Sequence, residues 1–247
     1  MHPLEIVDAR YRRPLSVVML LSLSSAVSLG LLMVRWVVGG RFIYAFMGWN
    51  LFLAWVPFGF ALALYWGHFH GTLNRSRAIV LGVLWFLFFP NAPYLLTEFV
   101  HLGPRHDGPW WCDLLLTTGF AWNGLLLGLL SLFLVQRVAG ERLGAKRGWM
   151  ISALALALGS FGISLGRFQR FNSWDVLAKP VRLLEEVAYE IVNPAEYPKQ
   201  FAMAVLLCAF LSLAYLTLLA LISLGRDDVQ TRDPGIGGMP GSGLSLH

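Results

Sequence analysis

Charged side chains are scarce in this sequence. Asp, Glu, Lys and Arg make up 13% of its 247 residues, against 57% that are hydrophobic. Soluble domains carry roughly 25% charged residues, so a soluble core of this size is excluded. Cysteine is sparse as well: Cys112 and Cys208 form neither a disulfide framework nor a CxxC metal motif. There is no Gly-rich phosphate loop and no serine or cysteine nucleophile constellation. Internal repeats are missing. The net charge of +5 is not gathered into a basic stripe interleaved with aromatics, which argues against nucleic acid as a partner.

Long apolar runs are what the chain has in plenty. Mean hydropathy is +0.62. A helix needs about 20 apolar residues to cross roughly 30 Å of hydrocarbon. Six stretches qualify: 15–34, 42–66, 78–102, 114–135, 149–165 and 201–224, the fifth being short. The expected fold is all-α, a polytopic transmembrane helical bundle of six spans forming one membrane domain over residues 15–225. Arg10, Arg12 and Arg13 precede the first run as in a signal peptide. That run is long for such a segment and ends at Arg35 without a small-residue cleavage site, so it reads as an uncleaved anchor. From Arg226 the chain is Gly-rich and aperiodic, and residues 226–247 are expected to be a disordered tail.

Basic residues set the expected orientation. Eleven of the 19 Lys and Arg fall in the N-terminus, the 67–77 and 136–148 loops and the tail. The other eight share their side with Glu98, Asp107, Asp113, Asp175, Glu185, Glu186, Glu190 and Glu196. Positive-inside logic places both termini in the cytoplasm and the 97–113 and 166–200 loops outside. In a bacterium this would be the cytoplasmic (inner) membrane.

Small residues recur at helix-packing spacing in spans four and five: Gly124 with Gly128, Gly162 with Gly166, Ala153 with Ala157, and Ala155 with Gly159. Such positions let backbones approach closely in lipid. Residues 180–192 differ. Val181, Leu184, Ala188 and Ile191 fall on one face, with Arg182, Glu186 and Glu190 on another, and Pro180 suits a first helical turn. This is an amphipathic helix too short and too charged to span. It either lies in the outer interface or caps the bundle.

Span three ends in "FFPNAPYLLTEFVHL", residues 88–102. Pro90 and Pro93 lack an N–H, so the carbonyls of Phe86 and Phe89 lose their helical partners. Hydrocarbon cannot replace those bonds. Asn91 either donates to a freed carbonyl or lines a polar cavity opened by the break. Glu98 and His101 follow at i and i+3, on one face of a continuing helix. Other polar groups are expected at the same end. Asn50 lies ~12 Å along the axis from the start of span two at 1.5 Å per residue. His106, Asp107 and Asp113 sit in or beside the third loop, with Trp110 and Trp111 as interface anchors. After span five, "GRFQRFNSWD" supplies Arg167, Arg170, Asn172, Ser173 and Asp175.

These stretches, together with "WWCDLLL", resemble an uncharacterised family of bacterial multi-span integral membrane proteins, a domain of unknown function marked by the PNAPY and GRF-x-R-x-NSWD motifs. The similarity runs from about Asn50 to Asp175 and over most of the chain. It implies a multi-span membrane protein and carries no activity with it. The family pattern has an aspartate where this chain has Glu98, so a carboxylate is kept.

Three readings of the polar cluster stay open. In a metal-assisted enzyme, Glu98, His101 and Asp113 would hold a divalent ion such as zinc, manganese or iron. The ion would lower the pKa of a bound water. Arg167 and Arg170 would grip the phosphate or carboxylate of an anionic envelope lipid or lipid-linked phosphate. Asp175 would join the acid–base groups, and Asn50, Asn91 and Asn172 would orient the ligand. In a transporter, the broken helix would mark the cargo site, for a small molecule or an ion. Charge confined to one end argues against it. In a scaffold or envelope-assembly component, the arginines would pair with Glu98 and Asp175 as a purely structural network.

Overall fold

The computed structural model describes residues 3–40, 43–102, 109–169 and 180–231. All regular structure among them is helical. The elements are α1 (Pro3–Gly39), α2 (Ala45–Phe69), α3 (Arg75–Phe88), the single turn α4 (Asn91–Tyr94), a 3-10 segment (Leu95–His101), α5 (Trp110–Leu143), α6 (Ala145–Gln169), α7 (Pro180–Val192), a 3-10 turn (Pro194–Glu196) and α8 (Pro198–Thr231). Six helical segments are long and apolar enough to cross a membrane, the third being the composite Arg75–His101.

Helix α5 is the centre of the bundle. It packs against α1, α2, α3, α4 and α6. Two apolar clusters flank it. One joins Leu21, Leu32, Met47, Leu51 and Phe58 to Phe120 and Leu127. The other joins Leu64, Trp85 and Phe89 to Leu132, Ala155 and Tyr215. In the most apolar window of each helix, 56% of α5 is buried but only 11% of α8. The outer faces of α1 and α8 carry exposed Leu20, Leu23, Leu206 and Leu213, as lipid-facing surfaces do.

Where apolar side chains meet lipid as readily as each other, close packing and buried hydrogen bonds hold helices together. Asn123 of α5 shows this. Its amide donates to Ser28 Oγ at 2.9 Å and to the carbonyls of Gly119 at 2.8 Å and Ser24 at 3.3 Å. Its oxygen accepts from Ser25 Oγ at 3.1 Å, which in turn accepts from Trp55 Nε1 at 3.1 Å. The network ties α1, α2 and α5 at mid-depth. Trp85 Nε1 donates to Ser131 Oγ at 3.2 Å and joins α3 to α5. The Tyr215 hydroxyl bonds Gln136 Oε1 and joins α8 to α5.

The helices outrun the apolar windows. Helix α1 continues to Gly39, so Arg35 lies inside a helix rather than in a loop. Helix α8 continues to Thr231. Residues 232–247 lie outside the described part.

Candidate functional site

The site begins with the two prolines. Helix α3 stops at Phe88, and one bond of the next turn is shortened. The Ala92 N–H reaches Phe89 O at 3.2 Å instead of Phe88 O, while the Tyr94 N–H keeps an α-helical bond to Pro90 O at 3.0 Å. The orphaned Phe88 carbonyl is taken by the Asn91 side-chain amide at 3.0 Å. Asn91 thus repairs the break, at Phe88 rather than at the carbonyls of Phe86 or Phe89.

Glycines make room for the rebuilt turn. A Cβ on Gly124 would stand 2.3 Å from the Ala92 carbonyl oxygen, and one on Gly128 3.2 Å from Pro93 Cδ. A Cβ on Gly159 of α6 would meet the Phe89 ring at 2.9 Å. The small-residue pattern read from the sequence therefore receives the broken segment of span three.

Beyond the break the chain tightens into a 3-10 helix, where residues three apart eclipse one another. Glu98 and His101 are such a pair. His101 Nε2 lies 3.3 Å from Glu98 Oε2. The Glu98 side chain is 1% exposed and that of His101 36%. Asn50 of α2 donates to Glu98 Oε1 at 3.0 Å. Arg167 of α6 brings Nη1 to 4.0 Å from Oε2. Its guanidinium is anchored by Tyr94 OH at 3.3 Å and by the Thr97 carbonyl at 2.9 Å. The carbon of the guanidinium sits 5.8 Å from the Tyr94 ring centre. Glu98 Oε2 is buried and receives no hydrogen bond among the described residues. The imidazole is within ion-pairing distance of it but not aligned as a hydrogen-bond donor.

Asp113 is engaged elsewhere. It sits in the first turn of α5, where the helix dipole favours an anion. Arg35 grips it through Nε and, at 3.5 Å, through Nη2. The exposures of the two side chains are 2% and 6%. The Tyr44 ring lies 5.7 Å from the guanidinium. Among the described residues no group of three or more His, Cys, Asp or Glu is placed to hold a metal ion.

The structure thus joins Asn50, Glu98, His101 and Arg167, drawn from three spans, at one end of the bundle. It gives Asn91 to the backbone and Asp113 to Arg35. Arg170, Asn172, Ser173, Asp175, His106 and Asp107 lie outside the described residues. Arg35 escaped sequence reading because a basic residue after an apolar run is also the ordinary mark of topology. Its signal was that Asp113, at the start of a span, needed a cation.

The amphipathic helix α7 sits at the same end. Its Glu190 is buried with Gln169 of α6 and Gln200 of α8, while Val181 and Val192 are exposed. Periodicity had placed Glu190 on the charged face with Arg182 and Glu186.

A family described as "Protein of unknown function (DUF1361)" matches residues 49–215, and the chain belongs to it. No curated protein and no solved structure matches the chain.

Proposed function

We propose that this DUF1361 member is a multi-pass protein of the bacterial cytoplasmic membrane. Its working pole is the Glu98 end, on the non-cytoplasmic side. There it binds the anionic head of an envelope lipid or lipid-linked phosphate. Arg167 is the anion holder, because its contacts to Tyr94 and Thr97 leave guanidinium donors over. His101 is the acid–base group, with the Glu98 carboxylate 3.3 Å from its Nε2. One observation carries the reading. Three spans bring polar side chains to a single carboxylate that is hidden from solvent, and the imidazole beside it remains accessible.

A one-ended site is favoured over a transport path by what lies between the ends. The buried groups there are neutral and hydrogen-bonded to one another, Asn123 with Ser25 and Ser28, amid Leu116, Phe120 and Leu127.

The test is the lipid that stays with detergent-purified protein, read by mass spectrometry. Enrichment of an anionic lipid over the bulk membrane is expected. Arg167→Gln should abolish it, and Glu141→Gln at the opposite end should keep it. Equal lipid composition in all three proteins would falsify the reading.

A further inference from the structure

Two buried acceptor atoms at the junction of α6, α7 and α8 have no hydrogen bond among the described residues: Glu190 Oε2 and Gln169 Oε1. They belong to residues already joined. Gln169 Nε2 donates to Glu190 Oε1, and Gln200 Nε2 reaches the same oxygen at 3.4 Å. Glu190 is 1% exposed. A carboxylate and an amide oxygen left together without a donor cost free energy twice over. Flipping the Gln169 amide makes matters worse, because its oxygen would then face Glu190 Oε1. A single proton on the carboxyl supplies the missing donor and removes the buried charge.

We propose that Glu190 carries a proton and donates its O–H to Gln169 Oε1. The resulting acid–amide pair clasps α7 across the ends of α6 and α8 in an acid-dependent way. This goes beyond the lipid-site reading and does not rest on it. The surroundings agree. The acidic group acting on Glu190 is Glu186 on α7 itself. Tyr197 lies near both, and Glu196 of the 3-10 turn accepts from the Tyr189 hydroxyl. Gln169 and Gln200 are neutral. Lys199 and Arg167 make no ion pair with Glu190 among the described residues, and Arg170 and the Arg182 side chain lie outside them. Burial first, and the Glu186 charge second, push the Glu190 carboxyl up, against the opposing bond from Gln169. The protonated form is therefore favoured by folding. The docking contribution is complete below the unfolded carboxyl's range and fades as pH rises through the folded value.

The clasp is anchored two residues beyond Arg167 on α6, so it ties α7 to the helix that carries the anion holder.

Hydrogen–deuterium exchange of the α7 peptide tests the clasp in full-length protein across a pH series, corrected for intrinsic exchange. In the wild type, protection should fall about tenfold as the carboxyl ionises, or about 1.4 kcal/mol of opening free energy. Glu190→Gln, a permanent mimic of the protonated acid, should hold α7 protected at every pH. Gln169→Leu removes both the donor and the acceptor and should leave α7 open and insensitive to pH. The proposal is overturned if wild-type protection is independent of pH or rises with it. It is equally overturned if Glu190→Gln, shown helical by circular dichroism, loses protection in acid.

Discussion

Glu98 and Glu141 sit at opposite ends of one bundle, and each meets a histidine and an arginine. Glu141 accepts from His68 Nε2 at 2.9 Å and from Arg137 Nε at 3.2 Å, and its side chain is 42% exposed. Arg137 also lies over the Phe69 and Tyr65 rings, at 5.1 and 5.7 Å. Glu98 has the same kinds of neighbours at 3.3 and 4.0 Å but takes a hydrogen bond from neither, and it is 1% exposed. Identical chemistry therefore has two outcomes. Where water reaches, ions find their own best geometry and contribute little. Where packing fixes them, geometry is set by the backbone and polar capacity is left unused. Unused capacity at a buried carboxylate is what a ligand or a proton can exploit, which is why the Glu98 end rather than the Glu141 end is the candidate site.

The sharpest way to break this contrast is to strand a charge at the Glu98 end. Arg35→Ala leaves Asp113 buried without its guanidinium. It should cost about 3–5 kcal/mol, read as loss of thermal stability in detergent. Removing both charges with Arg35→Leu and Asp113→Leu should recover most of that. If the single variant melts like the wild type, that end is wet and the contrast fails.

A smaller effect is expected from Gly124→Ala. The added methyl meets a backbone carbonyl, which cannot swing aside, so overpacking should cost about 1–3 kcal/mol. Gly128→Ala faces only the edge of Pro93 and should cost less. Equal melting of the two would mean that the break is not seated on α5.

The smallest effect belongs to the other end. Glu141→Ala should change stability by no more than about 1 kcal/mol, and added salt should shrink that further. A loss as large as that of Arg35→Ala would erase the distinction between the ends.

Much of this was legible beforehand, for physical reasons. The six spans show because hydrocarbon demands long apolar helices. The break shows because Pro90 and Pro93 have no N–H to give. The meeting of Asn50, Glu98 and Arg167 followed from topology alone, since alternating spans bring their ends together. Other features were hidden. Spacing marked Gly124 and Gly128 as packing positions but could not say that they receive Ala92 and Pro93, because the partner of a small residue leaves no trace in its own periodicity. Glu190 shares a helical face with Glu186, and only the placement of α7 separates a solvated acid from a buried one.

The seating of Ala92 and Pro93 in α5 has a consequence for bilayers of different thickness. Keyed into the central helix, the Glu98 segment cannot slide along its neighbour. The outermost helix, α8, with only 11% of its apolar window buried, is the part freest to tilt as the hydrocarbon thickens or thins. The depth of Glu98 is thus set by the protein's own core and not by the membrane around it.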